Sequence, residues 1–318
     1  MDQGPWQGER TLNMDLPDAV ATAAREGNVD AVREWLAAGG APDAIKRNGT
    51  SVLAVACASS RPSCAAVAEL LSAAGARDEA GHGEGSCLAT AAFHGAVDTV
   101  RVLLRYGAPA SATFSNGSTP LHCAVMANQW RQIRDPWSIA NAQAAAFIGH
   151  QGVVRLLLKH GAAVNARTGS ARFTPLMFAA HYSGFLSLGV VRELLRGGAD
   201  LNLVSAKGRN AEAIARTRLS KEIYTGEGIP ENTRSCRRPG AVEAFLELLA
   251  AVRAAGSWKR YVNKPRIDVI VLQRLCAAGR ASPPPALARL FPTSTKSPPL
   301  PKEMVWLILK FWRTDRDP

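Results

Sequence analysis

The sequence predicts an all-α solenoid of about six helix-pair units with hairpin loops, followed by a short helical C-terminal segment. A motif of Val, two residues, a large apolar residue and Leu recurs along the chain, and a segment rich in small apolar residues precedes each copy. Such helix pairs stack, because a single pair cannot bury its own apolar face. The six copies begin at Val32, Val67, Val100, Val154, Val191 and Val242.

A Gly-Ala pair follows each of the first five copies at nearly constant distance. A helix that ends there needs a residue that tolerates a positive φ, and glycine adopts this conformation without steric cost. We therefore predict that the second helix of each unit ends at the glycine of this pair. The pairs begin at Gly40, Gly75, Gly107, Gly161 and Gly198.

The small-residue segments predict the first helix of each unit. In the sixth unit this helix covers residues 208–215 and carries Glu212 where an apolar residue is expected, which suits a terminal repeat with a polar outer face. The other five segments begin at Ala19, Ser51, Ser86, Thr119 and Thr174.

Two segments resemble the ankyrin repeat, whose signature is TPLHxA on a period of about 33 residues. They are GSTPLHCA at residues 117–124 and GHQGVVRLLLKHGAAVNA at residues 149–166. A threonine before a proline caps a helix well, because the first helical residue needs no N–H, and the histidine of the motif is expected to tie down this turn. TPLMFAA from Thr174 is similar, with Met177 in place of the histidine. The repeat-structural residues are Thr119, Pro120, Leu121, His122, Thr174, Pro175 and Leu176.

The resemblance extends over residues 18 to about 255 and divides the chain into three parts. Residues 1–17 are expected to be coil, residues 18–256 an ankyrin array, and residues 257–318 a basic, proline-containing helical tail. Two of the spacings between motif copies are 54 and 51 residues, against 33 to 37 for the others. We therefore expect insertions near 128–146 and 217–240, at the edge where solenoid insertions often form interaction loops.

The resemblance to ankyrin repeats implies a concave surface that binds a protein partner. In that family the two residues after the alanine pair of each first helix face the concavity, and residues of the hairpins join them. Aromatic and arginine side chains at such positions often dominate interface energy. The candidate partner-binding residues are Arg25, Glu26, Phe93, His94, Phe114, His181 and Tyr182.

The sequence contains no motif of a common enzyme class. GxGxxG, GxxxxGK[ST], GxSxG and HExxH are absent, and His122 has no carboxylate or thiol at ligand spacing. We therefore predict no enzyme activity, no catalytic residue, no metal and no cofactor. The six cysteines form no CxxC pair, and the chain shows no signal peptide and no membrane-spanning run, so reduced thiols in a monomeric cytoplasmic or nuclear protein are expected.

The tail leaves several interpretations open. Leu272 and Cys276, with Leu300-Pro301 further on, resemble the SOCS box that binds Elongin, and LPKEM from Leu300 is similar to the opening of an F-box, which binds Skp1. Either resemblance implies an adaptor of a cullin-type ubiquitin ligase. A third interpretation is a hydrophobic cap that seals the last repeat.

The charge of the chain is concentrated near its C-terminus. The formal net charge is +12, and residues 230–318 carry 16 Lys and Arg against seven Asp and Glu, or +9. Clustered cations bind phosphates, so nucleic-acid or polyanion binding by this region is a further alternative. The principal prediction is a non-catalytic protein-interaction scaffold.

Overall fold

A computed structural model describes residues 16–46, 49–77, 86–114, 116–126, 150–181, 188–224 and 240–277. The predicted N-terminal coil and the predicted insertion near 128–146 lie almost entirely outside these residues. The chain divides into two compact units, residues 1–246 and residues 247–318.

The described residues form helices joined by short turns, which confirms the predicted all-α class. Each predicted unit contributes a first and a second helix. The helices are α1 Asp18–Glu26, α2 Val29–Ala37, α3 Val52–Cys57, α4 Pro62–Ala73, α5 Cys87–His94, α6 Val97–Arg105, α7 Pro120–Met126, α8 at residues 150–159, α9 Pro175–His181, α10 Leu188–Arg196, α11 Ala211–Tyr224, α12 Ala241–Ala255 and α13 Trp258–Ala277.

Within residues 1–246, the helices pack in consecutive order, as a solenoid requires. The first helices form one row, in which α1, α3, α5, α7, α9 and α11 each contact the next. Among the second helices, α2 contacts α4, and α4 contacts α6. The apolar faces close against neighbouring units, and Leu53, Leu88, Leu121, Leu157 and Leu194 are fully buried.

Short polar side chains begin several of these helices. Asn28, Ser51 and Ser86 each accept a hydrogen bond from the backbone N–H three residues on, at 3.1 to 3.2 Å. Thr174 accepts from Met177 N at 3.3 Å in the same way. These bonds satisfy N–H groups that the first turn of a helix leaves without a partner.

Glycine ends the second helices, with one correction to the prediction. Gly75, Gly107, Gly161 and Gly198 have φ between 83° and 97°. After α2, in the first helix pair, the residue with the left-handed conformation is instead Gly39, with φ 91°, and not Gly40. Gly40 lies against the indole of Trp35, so close that an added Cβ would come within 2.3 Å of the ring. The sequence therefore uses this second glycine for close packing.

Hairpins connect successive units and hydrogen-bond to one another. In the hairpin before α7, Phe114 N donates to Ser118 O at 2.9 Å, and in the hairpin before α9, Thr168 N donates to Phe173 O at 2.9 Å. Gly169 N donates to Asn116 O at 2.8 Å and joins these two hairpins. The hydrogen bonds hold neighbouring hairpin tips in a fixed register.

A buried carboxylate joins two second helices. Glu193 on α10 is 2% exposed and accepts hydrogen bonds from Gln151 Nε2, at 3.2 Å, and from Arg155 Nε, at 3.0 Å, both on α8. Arg155 Nη2 also donates to it, and Arg196 lies 3.8 Å away. The hydrogen bond that Arg155 donates to Glu193 raises the pKa of Arg155, so the guanidinium stays charged. Buried acids are stable only with such partners.

The C-terminal helices differ in detail from the sequence interpretation. α11 runs to Tyr224, eight residues into the range predicted as an insertion, and residues 225–239 are outside the described part. α13 begins at Trp258, within the range predicted as a helical tail, and includes Pro265. Within the described ranges no helix has the length and hydropathy to span a bilayer.

The hairpin contact predicts unequal effects of two glycine substitutions. Gly117 and Gly161 have similar φ, 75° and 83°, but an added Cβ would lie 2.6 Å from Gly169 N at Gly117 and in open space at Gly161. Gly161→Ala is therefore expected to lower the free energy of unfolding by about 1 kcal/mol, through backbone strain alone. Gly117→Ala should cost about 1–3 kcal/mol more, because a backbone atom must move. Chemical denaturation of both variants measures the difference, and equal losses would contradict the hairpin contact.

Candidate protein-binding surface

His122 connects one repeat to the next through its two ring nitrogens. Thr119 N–H donates to Nδ1 at 3.1 Å, so Nδ1 is unprotonated and Nε2 carries the hydrogen. Nε2 then donates to the carbonyl of Phe173 at 3.1 Å, in the next hairpin. The imidazole is buried, and burial lowers its pKa from 6.5 to about 4, so it is neutral near pH 7.

The residues around His122 follow the motif that predicted them. Thr119, Pro120 and Leu121 are buried at the start of α7, and the Thr119 hydroxyl lies 2.9 Å from His122 Nδ1. The equivalent segment of α9 places Thr174, Pro175 and Leu176 in the interior. Met177 is buried at the position equivalent to His122.

An aromatic cluster lies where the hairpin before α9 meets that helix. Phe173 and Phe178 pack edge to face, with ring centroids 5.4 Å apart. Phe173 also contacts His181, at 6.4 Å, and Phe178 contacts His122, at 5.4 Å. Phe173, Phe178 and His181 are partly exposed, so hairpin and first helix present apolar surface on the same side.

A second pair of partly exposed rings lies at the end of α5. Phe93 and His94 pack edge to face at 5.4 Å, and His94 Nδ1 donates to Thr90 O at 2.8 Å. The carbonyl of Phe93 accepts from Nε2 of His150, at 3.1 Å, which joins α8 to α5. The backbone beneath the two rings is thereby held in place.

The remaining predicted partner-binding residues are spread along the array. Arg25 and Glu26 are exposed at the end of α1, and Phe114 is partly exposed in the hairpin before α7. Tyr182 lies outside the described residues. Among these positions, the structure brings Phe93 together with His94, and it brings His181 together with Phe173.

Sequence reasoning missed Phe173, Phe178 and Arg172. Arg172 has φ 52°, and it is the one non-glycine residue with positive φ in the described part of the chain. This conformation costs roughly 1–2 kcal/mol for a residue with a Cβ. Glycine stands at the same place, two residues before the helix cap, in three other hairpins, at Gly49, Gly117 and Gly208. Aligning the hairpins with one another would have exposed the departure.

The tail candidates are only partly described. Leu272 lies on α13 and is partly exposed. Cys276 lies in the same helix, whereas Leu300 and Pro301 are outside the described residues.

Four cysteines, Cys57, Cys64, Cys87 and Cys123, form no disulfide within the described part of the chain. Burial raises the pKa of Cys123 to about 12, so its thiol stays protonated and unreactive near neutral pH. No group of three or more His, Cys, Asp or Glu residues able to hold a metal ion occurs among the described positions.

The stacked helix pairs and hydrogen-bonded hairpins define a helical repeat protein with an exposed face suited to binding other proteins. Comparison with protein families identifies the repeats. A family model for ankyrin repeats in many copies matches residues 88–134, and one for the ankyrin repeat matches residues 143–169 and 172–206. Residues 88–206 therefore contain ankyrin repeats, and such repeats are protein-interaction modules, generally without catalytic activity. No curated protein matches the chain.

The buried histidine predicts a pH-dependent stability. The folded pKa of His122, about 4, lies below the unfolded value of 6.5, so the unfolded state binds more protons between these values. Stability that is fully present above pH 6.5 is therefore lost as the pH falls toward 4, by about 3 kcal/mol in all. Between pH 7 and 5.5 we expect a loss of about 1 kcal/mol that His122→Gln abolishes.

Denaturation of the wild type and His122→Gln at several pH values between 7 and 5.5 measures this slope. Met177→Leu is the control, because it alters the equivalent buried position without a titratable group. The same slope in the His122→Gln variant as in the wild type would show that another group is responsible.

Proposed function

We propose that the chain is a non-catalytic scaffold in the cytoplasm or nucleus that binds a protein partner on the face formed by its hairpins and first helices. The observation that carries the proposal is the set of partly exposed rings on this side, Phe93 with His94 and Phe173 with Phe178 and His181. Large, rigid aromatic side chains contribute strongly to interfaces, because they bury much apolar area at low entropic cost.

The support beneath these rings favours binding of a partner without rearrangement. The backbone of Phe93 is held by His150, and that of Phe173 by His122 and Thr168. A preorganised surface loses less conformational entropy when it binds, so more of the contact energy appears as affinity.

Photocrosslinking tests which face binds. A photoreactive phenylalanine analogue at Phe93 or Phe114, in the full-length chain in cells, is expected to give discrete protein adducts. Tyr106 is the matched control, since it is an aromatic residue that is 47% exposed at the end of α6, a second helix. Equal adducts from Tyr106, or none from Phe93 and Phe114, would contradict the proposal.

The ubiquitin-ligase adaptor is a second candidate and concerns the tail alone. Its support is the LxxxC pattern on one helix, with Leu272 partly exposed on α13. Nucleic-acid binding by the basic C-terminal residues is the third candidate and has only the net charge as support.

Binding of the full-length chain to purified Elongin B and C, or to Skp1, tests the adaptor hypothesis. We expect Leu272→Glu to abolish the binding, because a carboxylate cannot be buried in an apolar pocket without a partner. Ile267→Glu is the control, at an exposed position on the same helix. Absence of binding by the wild type, or an equal loss in both variants, would remove the hypothesis.

A further inference from the structure

Two neighbouring hairpins of the array are strongly basic. Residues 163–174 and 200–210, here called the basic hairpin pair, contain four Lys or Arg against one acidic residue, Asp200. The preceding hairpin, residues 109–119, carries no charged residue at all. The first hairpin, residues 41–51, contains two cations and one acidic residue, so the basic hairpin pair carries the larger excess of positive charge. The four cations are Arg167, Arg172, Lys207 and Arg209.

The two hairpins are joined, so their cations act together. Ala206 N donates to Ala171 O at 3.0 Å and connects the tips directly. Ser205 N donates to Arg209 O at 2.9 Å and closes the second hairpin. Arg172 and Lys207 each immediately follow one of the two residues in the connecting bond, which keeps them close in the backbone.

These cations have no ionic partner among the described residues of the array. Arg172 and Lys207 are exposed. Arg209 is partly buried, and its Nε has no hydrogen-bond partner in the described part of the chain. A desolvated cation of this kind is stabilised by a nearby anion.

The backbone at Arg172 gives an independent reason to look for a ligand here. Arg172 holds the left-handed conformation that Gly49, Gly117 and Gly208 hold in other hairpins. Backbone strain of this kind is often found at active sites and ligand-binding sites. Arg172 is exposed and forms no ion pair with a described residue, so its side chain is accessible to a ligand.

Apolar surface adjoins the cations. Arg172 directly precedes Phe173, whose ring packs with Phe178 and His181. A ligand on the basic hairpin pair would therefore meet positive charge and partly exposed aromatic rings together.

We propose that the basic hairpin pair, with the adjoining rings of Phe173 and Phe178, binds an acidic protein segment that carries a large apolar side chain. This proposal rests on the proposed function and names the chemistry of its partner. Four cations neutralise fewer phosphates than the roughly six to ten that give nucleic-acid binding its strength, so a protein segment fits the site better. The carboxylates would pair with Arg172 and Lys207, and the apolar side chain would cover the rings.

A fluorescent acidic peptide tests the proposal. The probe is a short peptide of Asp and Glu with two phenylalanines, and its anisotropy is measured with the full-length chain at physiological salt. Arg172→Gly combined with Lys207→Gln is expected to weaken binding about tenfold or more. Arg101→Gln combined with Lys159→Gln removes the same charge from second helices and should change the affinity less than about twofold.

Thermal unfolding of Arg172→Gly separates binding from folding. Glycine relieves the strain, so the unfolding temperature is expected to rise by about 2–4 °C while the affinity falls. If Arg172 had only a structural role, Arg172→Gly would bind the peptide as tightly as the wild type does.

Three outcomes would overturn the proposal. The first is that the wild type does not bind the peptide, and the second is that the Arg101 and Lys159 control loses as much peptide affinity as the Arg172 and Lys207 variant. The third is that a single-stranded DNA of equal charge binds through the same residues more tightly than the peptide does. Photocrosslinking at Phe93 distinguishes failure of this proposal from failure of the proposed function. If the chain binds a protein that is not acidic, adducts at Phe93 would still form.

Discussion

The structure depends on one constraint, that no single helix pair can enclose its own apolar face. The first helices pack in an unbroken row from α1 to α11, and each buries small residues against its neighbours. Ala91 and Ala92 on α5, and Ala179 and Ala180 on α9, have almost no exposed surface. Because these side chains are small, adjacent first helices approach closely, and the hairpins are brought within hydrogen-bonding distance.

The polar contacts between units follow from this close approach. His122 and His150 each donate from Nε2 to a backbone carbonyl of a neighbouring unit. Glu193 receives its hydrogen bonds from α8, the second helix of the unit before its own. In an isolated helix pair, each of these groups would lack its hydrogen-bond partner in the neighbouring pair. In the stack they are satisfied, so they favour one register of the array over the alternatives.

Features of the fold that recur in every helix pair could be predicted from the sequence, whereas features that occur at only one place could not. Motif spacing located the helix pairs because every unit repeats the same apolar period. The motif spacing wrongly assigned the left-handed conformation to Gly40 instead of Gly39. Two adjacent glycines satisfy the pattern equally, and only the packing of Gly40 against the indole of Trp35 distinguishes their roles. At the candidate site, His181 was identified by register, whereas its contact with Phe173 depends on how the hairpin folds back.

The hairpin tips are where such an array can accept strain. Stability in a repeat protein is nearly a sum of local terms and nearest-neighbour interfaces, so a cost at one tip does not spread through the stack. Arg172 occupies a glycine conformation while the hydrogen bonds of its hairpin, Thr168 N to Phe173 O and Ala206 N to Ala171 O, remain intact. The same substitution at a glycine inside a close contact would displace backbone. The packing of the helices therefore fixes the scaffold, and the tips are left to vary in charge, which is how one fold can present different surfaces to different partners.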